Sequence, residues 1–344
     1  MPDLTQPAGW LPVVFLALMG LAMLAYVILD GYDLGVGILL HRANDEQKDM
    51  MIASIGPFWD ANETWLVLGV GILLVAFPIA HGVILTSLYL PVALMLVGLI
   101  LRGVAFDFRV KARAHHKPWW NHAFFAGSLL ASLAQGVMLG LYIVGFKYGL
   151  AQIAFGLLTG LFLAASYALL GATWLIMKTE GGLQHRAVAW ARSSLWLTGL
   201  GVGAVSIATP LVSQRIFDKW FSLPNFILLL PIPLMTATLF ALAYLFLRRL
   251  SHDATSGNER GLERWCWAPF ACSVGMFILA FFGLAFSLFP YLVVDRITIW
   301  QAASAPESLK IILVGVAIVL PAIVGYTAYS YKIFWGKARE LSYY

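Results

Sequence analysis

Charged side chains are scarce in this 344-residue sequence: Asp, Glu, Lys and Arg make up 11% of it, while 61% is hydrophobic. Soluble globular domains carry roughly 25% charged residues, so this composition excludes an ordinary soluble domain. An apolar run of about 20 residues can cross a hydrocarbon core about 30 Å thick. The scarcity of charge therefore predicts a polytopic membrane protein in which each charge inside an apolar run needs a reason.

Groups for redox or covalent chemistry are also few. The two cysteines, Cys266 and Cys272, are six residues apart, so they point to different sides of a helix and predict neither a disulfide nor a CxxC site. All seven histidines fall in predicted loops or at predicted helix ends, and the sequence contains no phosphate-binding glycine loop. The pattern predicts no haem ligand, redox centre or catalytic nucleophile in this chain.

Nine apolar runs predict nine transmembrane helices. They lie at 11–40, 51–78, 82–108, 120–146, 150–177, 190–212, 225–247, 265–290 and 309–334, with a tight turn predicted at 78–82. Sixteen of the 22 Lys and Arg residues fall on one side of the alternating spans. The positive-inside rule then predicts an outer N-terminus and a cytoplasmic C-terminus. The net charge of +5 is explained by this topology and does not indicate a nucleic-acid partner.

Two acids lie at the start of the second run, within the sequence GPFWDANETWL. An acid in the membrane costs roughly 2.5–3.5 kcal/mol on insertion scales, so it is rarely kept without a partner. Asp60 and Glu63 share a helix face because they are three residues apart. If the helix is continuous from the preceding charged loop, Asp60 lies roughly 15 Å along it, although Gly56 and Pro57 can bend it.

The first run ends in a second acidic motif. Asp30 and Asp33 share a helix face, and a further apolar segment separates them from the polar loop. Gly31 and Gly35 form a small-xxx-small pair, which favours close approach of another helix. The motif therefore predicts buried acids next to a tight helix contact.

The third run carries charges of both signs. Arg102 lies within the apolar run and needs a counter-ion, for which Asp60 or Glu63 is the predicted candidate. Asp107 and Lys111 are four residues apart, which favours an ion pair near the cytoplasmic surface.

These ionisable groups permit more than one function. Carboxylates with bound water can pass protons while a neighbouring arginine stabilises their charge, which suits proton or ion conduction. The same groups suit a buried structural ion network or a small-substrate site. A secondary transporter and a purely structural membrane scaffold are therefore alternatives to a proton path.

Three motifs resemble subunit II of the cytochrome bd family of quinol:oxygen oxidases, with a compact size similar to its cyanide-insensitive branch. The resemblance is specific in the first three or four helices, and the later part of the chain agrees only in length and spans. The motifs are Asp30–Gly37 (DGYDLGVG), Pro57–Leu66 (PFWDANETWL) and Arg102–Lys111 (RGVAFDFRVK).

The resemblance implies a fold and an assembly. It implies an all-α protein with two four-helix bundles and a peripheral ninth helix, divided at 1–147, 148–293 and 294–344. It implies a bacterial inner-membrane complex in which a partner, subunit I, carries haems b558, b595 and d. Lipids, a structural quinone and small single-helix accessory subunits are further partners that it implies.

The resemblance also implies roles for particular residues. Asp60, Asp107 and Lys111 match residues of a cytoplasmic proton path toward haem d. As further ionisable groups of the same motifs, Asp30, Asp33 and Glu63 are assigned to this path. Arg102 matches a buried arginine, Trp65 matches the mouth of an oxygen channel, and Glu63 replaces an uncharged amide that is common in the family.

Overall fold

Helices make up most of the protein in a computed structural model that describes residues 3–338. The α-helices are Pro7–Leu39 (α1), Asp45–Ile55 (α2), Trp59–Ala76 (α3), Pro78–Ser87 (α4), Tyr89–Lys111 (α5), Lys117–Ile143 (α6), Leu150–Lys178 (α7), Gly181–Val212 (α8), Gln214–Phe221 (α9), Asn225–Leu229 (α10), Pro231–Ser256 (α11), Glu259–Trp265 (α12), Ala268–Leu288 (α13), Ile299–Ala302 (α14) and Pro306–Ile333 (α15). Two 3₁₀ turns, Leu40–Arg42 and Ala114–His116, follow α1 and precede α6. An antiparallel hairpin of Tyr291–Val293 (β1) and Ile297–Thr298 (β2) is the one small sheet in this part of the chain.

Nine segments within residues 3–338 are long and apolar enough to cross a membrane, which confirms the predicted number. Seven of them are built on the single helices α1, α3, α5, α6, α7, α8 and α15. The other two, Asn225–Ser256 and Glu259–Leu288, each combine a short helix with a long one. The orientation of these spans in the membrane stays a prediction.

The second predicted span is divided in the structure. An Asn44 capping box with Gln47 begins α2, which ends at Ile55, and α3 begins at Trp59 after a break at 56–58. Proline has no N–H for a helix interior and its ring clashes with the preceding turn, which explains a break at Pro57. The assumption of a continuous helix was wrong, and the depth of roughly 15 Å derived from it for Asp60 does not hold.

The connection after α3 also differs from the prediction. The tight turn predicted at 78–82 is absent, and residues 78–87 form the apolar helix α4 instead. Proline at the first position of a helix is favourable because its fixed φ suits the helix and its missing N–H would have no partner there. Pro78 therefore begins a helix where the sequence suggested a turn.

The chain divides into two compact units. The first contains the described part of 1–30, together with 57–87 and 288–335. Its core packs Ala22 and Tyr26 against Trp65. Ser304 also donates from its N–H and its hydroxyl to the carbonyls of Ala76 and Val75, at 2.9 and 2.8 Å, and so fixes the segment before α15 to the end of α3.

The second unit contains 31–56, 88–287 and the described residues after 335. Its helices approach closely where glycines meet: a Cβ added to Gly35 would lie 1.8 Å from the carbonyl oxygen of Tyr167, and one added to Gly171 would lie 2.3 Å from the carbonyl carbon of Gly35. The predicted close contact at Gly31 and Gly35 is confirmed, and its partner is α7. The division at 147 and 293 into two four-helix bundles stays a prediction.

Candidate functional site

The acids of α1 lie away from the surface of the chain. Asp30 and Asp33 are both 0% exposed, as predicted from the apolar residues on either side of them. Next to Asp33, Tyr32 stacks on Trp174 of α7 with ring centroids 4.1 Å apart. Buried acids are costly unless neighbours stabilise them, so this helix end is a candidate site for protons or ion pairs.

The groups on α3 differ from one another in exposure. Asp60 lies in the first turn and is exposed, whereas Glu63 is half-buried. An acid in the first turn is favoured by the partial positive charge of a helix N-terminus. Trp65 is buried and packs against Ala22 and Tyr26 of α1 in an apolar cluster.

Asn62 is a polar link that connects three helices of the first unit. Its side chain is almost fully buried, and its Nδ2 donates to the carbonyl of Leu29 on α1 at 3.3 Å. Its Oδ1 accepts from the hydroxyl of Tyr331 on α15 at 3.1 Å, and the Tyr331 ring stacks on Phe58 at 4.4 Å. Sequence reasoning placed Asn62 in the motif without giving it a role, although an amide beside an apolar run signals an interhelical hydrogen bond.

The charges on α5 divide between its two faces. Arg102 is buried, whereas Asp107 and Lys111 are exposed. Among the described residues Asp107 and Lys111 form no ion pair, so the pairing expected from their spacing is not seen. Exposed i,i+4 pairs gain only about 0.3–0.5 kcal/mol, which is too little to hold two solvated side chains together. The pairing of Arg102 with Asp60 or Glu63 stays a prediction.

One side of α5 carries both apolar and charged exposed residues, and we call it the outer face of α5. The residues of this face recur every three or four positions, as the helical repeat requires. The outer face consists of Val97, Ile100, Val104, Asp107, Phe108 and Lys111.

A second arginine on α5 was missed by sequence reasoning. Arg109 is buried; its Nε donates to Asn121 of α6 and its Nη2 to Asp49 of α2, both at 2.5 Å. Lys117 adds a second cation 3.6 Å from Asp49. These bonds hold the end of α5 against two neighbours. The signal was present in the sequence, because Arg109 is seven residues after Arg102 and therefore on the same helix face.

A buried polar pair lies between α6 and α7. The Tyr167 hydroxyl donates to Gln135 Oε1 at 2.7 Å, which joins polar residues of two largely apolar helices. Tyr167 also lines the tight contact at Gly35. The pair therefore reinforces the packing beside the acidic motif of α1.

The histidines offer no axial haem ligand in the middle of a span. The histidines lie in 3₁₀ turns, in the short helix α4 or near the ends of long helices, far from mid-span positions, and haem iron needs an axial ligand. Their positions are His41, His81, His115, His116, His122, His185 and His252. Within residues 3–338 no three His, Cys, Asp or Glu side chains are arranged to hold a metal ion.

Comparison with known proteins gives consistent similarities. A sequence family described as cytochrome bd terminal oxidase subunit II matches residues 11–334. The chain is 28% identical over 338 residues to cytochrome bd ubiquinol oxidase subunit 2 of Bacillus subtilis, covering 92% of this chain and 94% of that protein. It is 26% identical over 370 residues to cytochrome bd-I ubiquinol oxidase subunit 2 of Escherichia coli, covering 94% of each. A chain of the bd oxidase structure from Geobacillus thermodenitrificans shares the fold, with a TM-score of 0.69, 18% identity and coverage of 94% and 99%.

Proposed function

Because this chain belongs to the cytochrome bd terminal oxidase subunit II family, we propose that it assists proton delivery and oxygen access in a quinol oxidase whose haems lie in a partner subunit. Membership makes the chain part of an oxygen-reducing enzyme complex, and its nine candidate spans make it a multi-pass membrane protein. We further propose a bacterial inner membrane as its location, subunit I as the carrier of haems b558, b595 and d, and a structural quinone and single-helix subunits as additional partners.

The outer face of α5 carries this proposal. Asp107 and Lys111 are exposed beside Val104 and Phe108. All four lie on α5, which is long and apolar enough to cross a membrane. Charged side chains in such spans face protein or water because contact with lipid is costly. A partner subunit covering this face would enclose the apolar residues and leave the two ionisable groups at the contact. That arrangement suits a proton path shared by two subunits.

The chemistry of the path follows from the residue types. Oxygen reduction to water consumes protons, and carboxylates at Asp60 and Asp107 can accept and release them through bound water. We assign to the exposed ammonium of Lys111 and the buried guanidinium of Arg102 the role of positive charges beside this path. Asp30, Asp33 and Glu63 are proposed to extend the path, with their charges held between helices.

Oxygen access is assigned to the apolar surroundings of Trp65. Its ring lies in a cluster with Ala22 and Tyr26 and is almost wholly covered by side chains of the first unit. Oxygen is apolar and partitions into the bilayer, so a route lined by bulky aromatic and aliphatic groups suits its passage. The resemblance of the surrounding motif supports this assignment.

Neutral variants of the two exposed acids test the proton path. Asp60→Asn and Asp107→Asn keep the shape of each side chain and remove its titrating proton. Each variant of the whole complex is expected to lose at least tenfold in quinol-driven oxygen consumption while its visible haem spectrum stays unchanged, since removing a general acid–base group typically costs about 10²–10⁴-fold. Glu46→Gln is the matched control because Glu46 is an exposed acid on α2, outside the motifs.

Two other functions predict different results. A structural scaffold predicts normal oxygen consumption in both Asp→Asn variants, and that outcome would end the proton-path proposal. A secondary transporter is favoured by one observation, the break at 56–58 just before Asp60, since transporters place ion sites at broken helices. It predicts ion-coupled uptake by vesicles containing this chain without a haem-bearing partner.

A further inference from the structure

A shallow groove runs along the surface of the second unit beside α8 and α11, outside the proposed proton path. It has a volume of about 300 Å³ and is lined by Ala189, Arg192, Ser193 and Trp196. Arg192 Nη1 donates to the hydroxyl of Ser251 on α11 at 3.1 Å, so this side chain bridges the two helices. Ala189 and Ser193 contribute small side chains to the same surface.

The groove is positively charged. Arg192 is exposed, and among residues 3–338 no carboxylate lies within 4 Å of it. α8 contains no Asp or Glu at all. Arg248 precedes Ser251 by three residues and adds a second exposed cation on that side of α11. The acid of α11, Asp253, is buried and accepts from Asn258 at 3.0 Å, so it does not neutralise Arg192.

The other end of the groove is aromatic and then apolar. Trp196 follows Arg192 by one helical turn and is 59% exposed. Its ring makes edge-to-face contacts with Phe240 and Tyr244 of α11, with centroids 5.6 and 5.7 Å apart. Leu200, one turn further on, is exposed. The surface therefore changes from basic to aromatic to aliphatic along α8, as it does where a protein crosses the membrane interface.

Because basic, aromatic and aliphatic side chains follow one another along α8, we propose that the groove binds an anionic phospholipid. Its phosphate would lie on Arg192, and its glycerol and acyl chains on Trp196 and Leu200. An arginine fork matches a phosphate in geometry and charge. The groove has a volume of about 300 Å³. That volume is sufficient for a phosphate headgroup. The positive-inside prediction assigns the lipid to the cytoplasmic leaflet.

Native mass spectrometry of the whole complex tests the site. The complex is purified, stripped of lipid by detergent and placed in nanodiscs of phosphatidylcholine containing a minor fraction of phosphatidylglycerol, and the retained lipid is counted after release. Arg192→Gln removes the charge, and Trp196→Leu removes the aromatic platform while keeping an apolar side chain. Arg260→Gln is the matched control, since Arg260 is an exposed arginine on α12 that does not line the groove.

The wild-type complex is expected to retain phosphatidylglycerol selectively. Arg192→Gln should lower that retention about tenfold, as expected for loss of a charge-assisted hydrogen bond, and Trp196→Leu should lower it less. Arg260→Gln should match the wild type. Equal retention in all four proteins would overturn the proposal, as would displacement of the lipid by millimolar inorganic phosphate, which would assign Arg192 to a free anion. Co-purification of a polypeptide that crosslinks to position 196 would overturn it too.

Discussion

Asn62 joins α1, α3 and α15 through two hydrogen bonds in an otherwise apolar contact. Asn62→Ala leaves the Leu29 carbonyl and the Tyr331 hydroxyl without that partner, and interhelical hydrogen bonds in membranes contribute about 0.6–1.7 kcal/mol. We expect a lower thermal unfolding temperature of the complex for this variant. Tyr331→Phe should produce a smaller decrease because it removes only one of the two bonds.

The double variant separates the bond from general packing. If the Tyr331 hydroxyl acts through Asn62, the effects of Asn62→Ala and Tyr331→Phe on unfolding temperature will not add. Strict additivity of the two decreases would show that the hydrogen bond between these side chains contributes nothing measurable.

At the scale of single residues, the sequence shows which charged side chains lie unusually within apolar runs, but it does not show which residues they contact. Asp30 and Asp33 were predicted to be buried because of the apolar residues around them, and the family resemblance implied a buried Arg102. All three are buried. The face of Arg109 could be predicted in this way, but its partners could not, since Asp49 and Asn121 come from other helices. Helix periodicity identifies the face of a side chain, whereas its partner depends on tertiary packing.

At the scale of helices, the contact between α1 and α7 has the strictest geometry. Gly35 has no room for a methyl group, because the added Cβ would overlap the backbone of Tyr167 at 1.8 Å. Gly35→Ala is therefore expected to separate the two helices and greatly reduce the yield of assembled complex in size-exclusion chromatography. The same two helices would have to shift at Gly171, where the backbone of Gly35 is 2.3 Å from an added Cβ.

Gly203→Ala on α8 is the control for this substitution. No atom lies within 4 Å of a Cβ added at Gly203, and alanine favours a helix interior over glycine by roughly 0.5–1 kcal/mol. This variant should assemble at least as well as the wild type. Normal assembly of Gly35→Ala, or failure of both variants, would show that close backbone contact is not what limits residue 35.

Long apolar helices were predictable in number, and their interruptions were not. The breaks fall where short-range preferences compete: Gly56 and Pro57 end one helix, whereas Pro78 begins another. A proline is compatible with both outcomes, because it is tolerated in a first turn and disfavoured in an interior. Hydropathy reports only the length of an apolar run. It therefore predicted one span across α2 and α3, and it gave no sign of the separate helix α4.

At the scale of the whole molecule, the family match and the fold confirm the family and the all-α membrane fold that were predicted from a few motifs in the first three spans. Those motifs contain the acids, and the remaining spans carry mainly packing residues, so the later half offered few residues from which function could be predicted. The hairpin of β1 and β2 and the polar groove at Arg192 depend on pairings between segments, which no local pattern reports.

The central claim is that Asp60 and Asp107 carry protons from the predicted cytoplasmic side to the site of oxygen reduction. Its most direct test is proton uptake during a single turnover: fully reduced complex in vesicles is mixed with oxygen while a pH-sensitive dye reports on the predicted cytoplasmic side. Asp107→Asn is expected to slow proton uptake and haem oxidation together, with the haem spectrum intact. Uptake by this variant at the wild-type rate would contradict the claim.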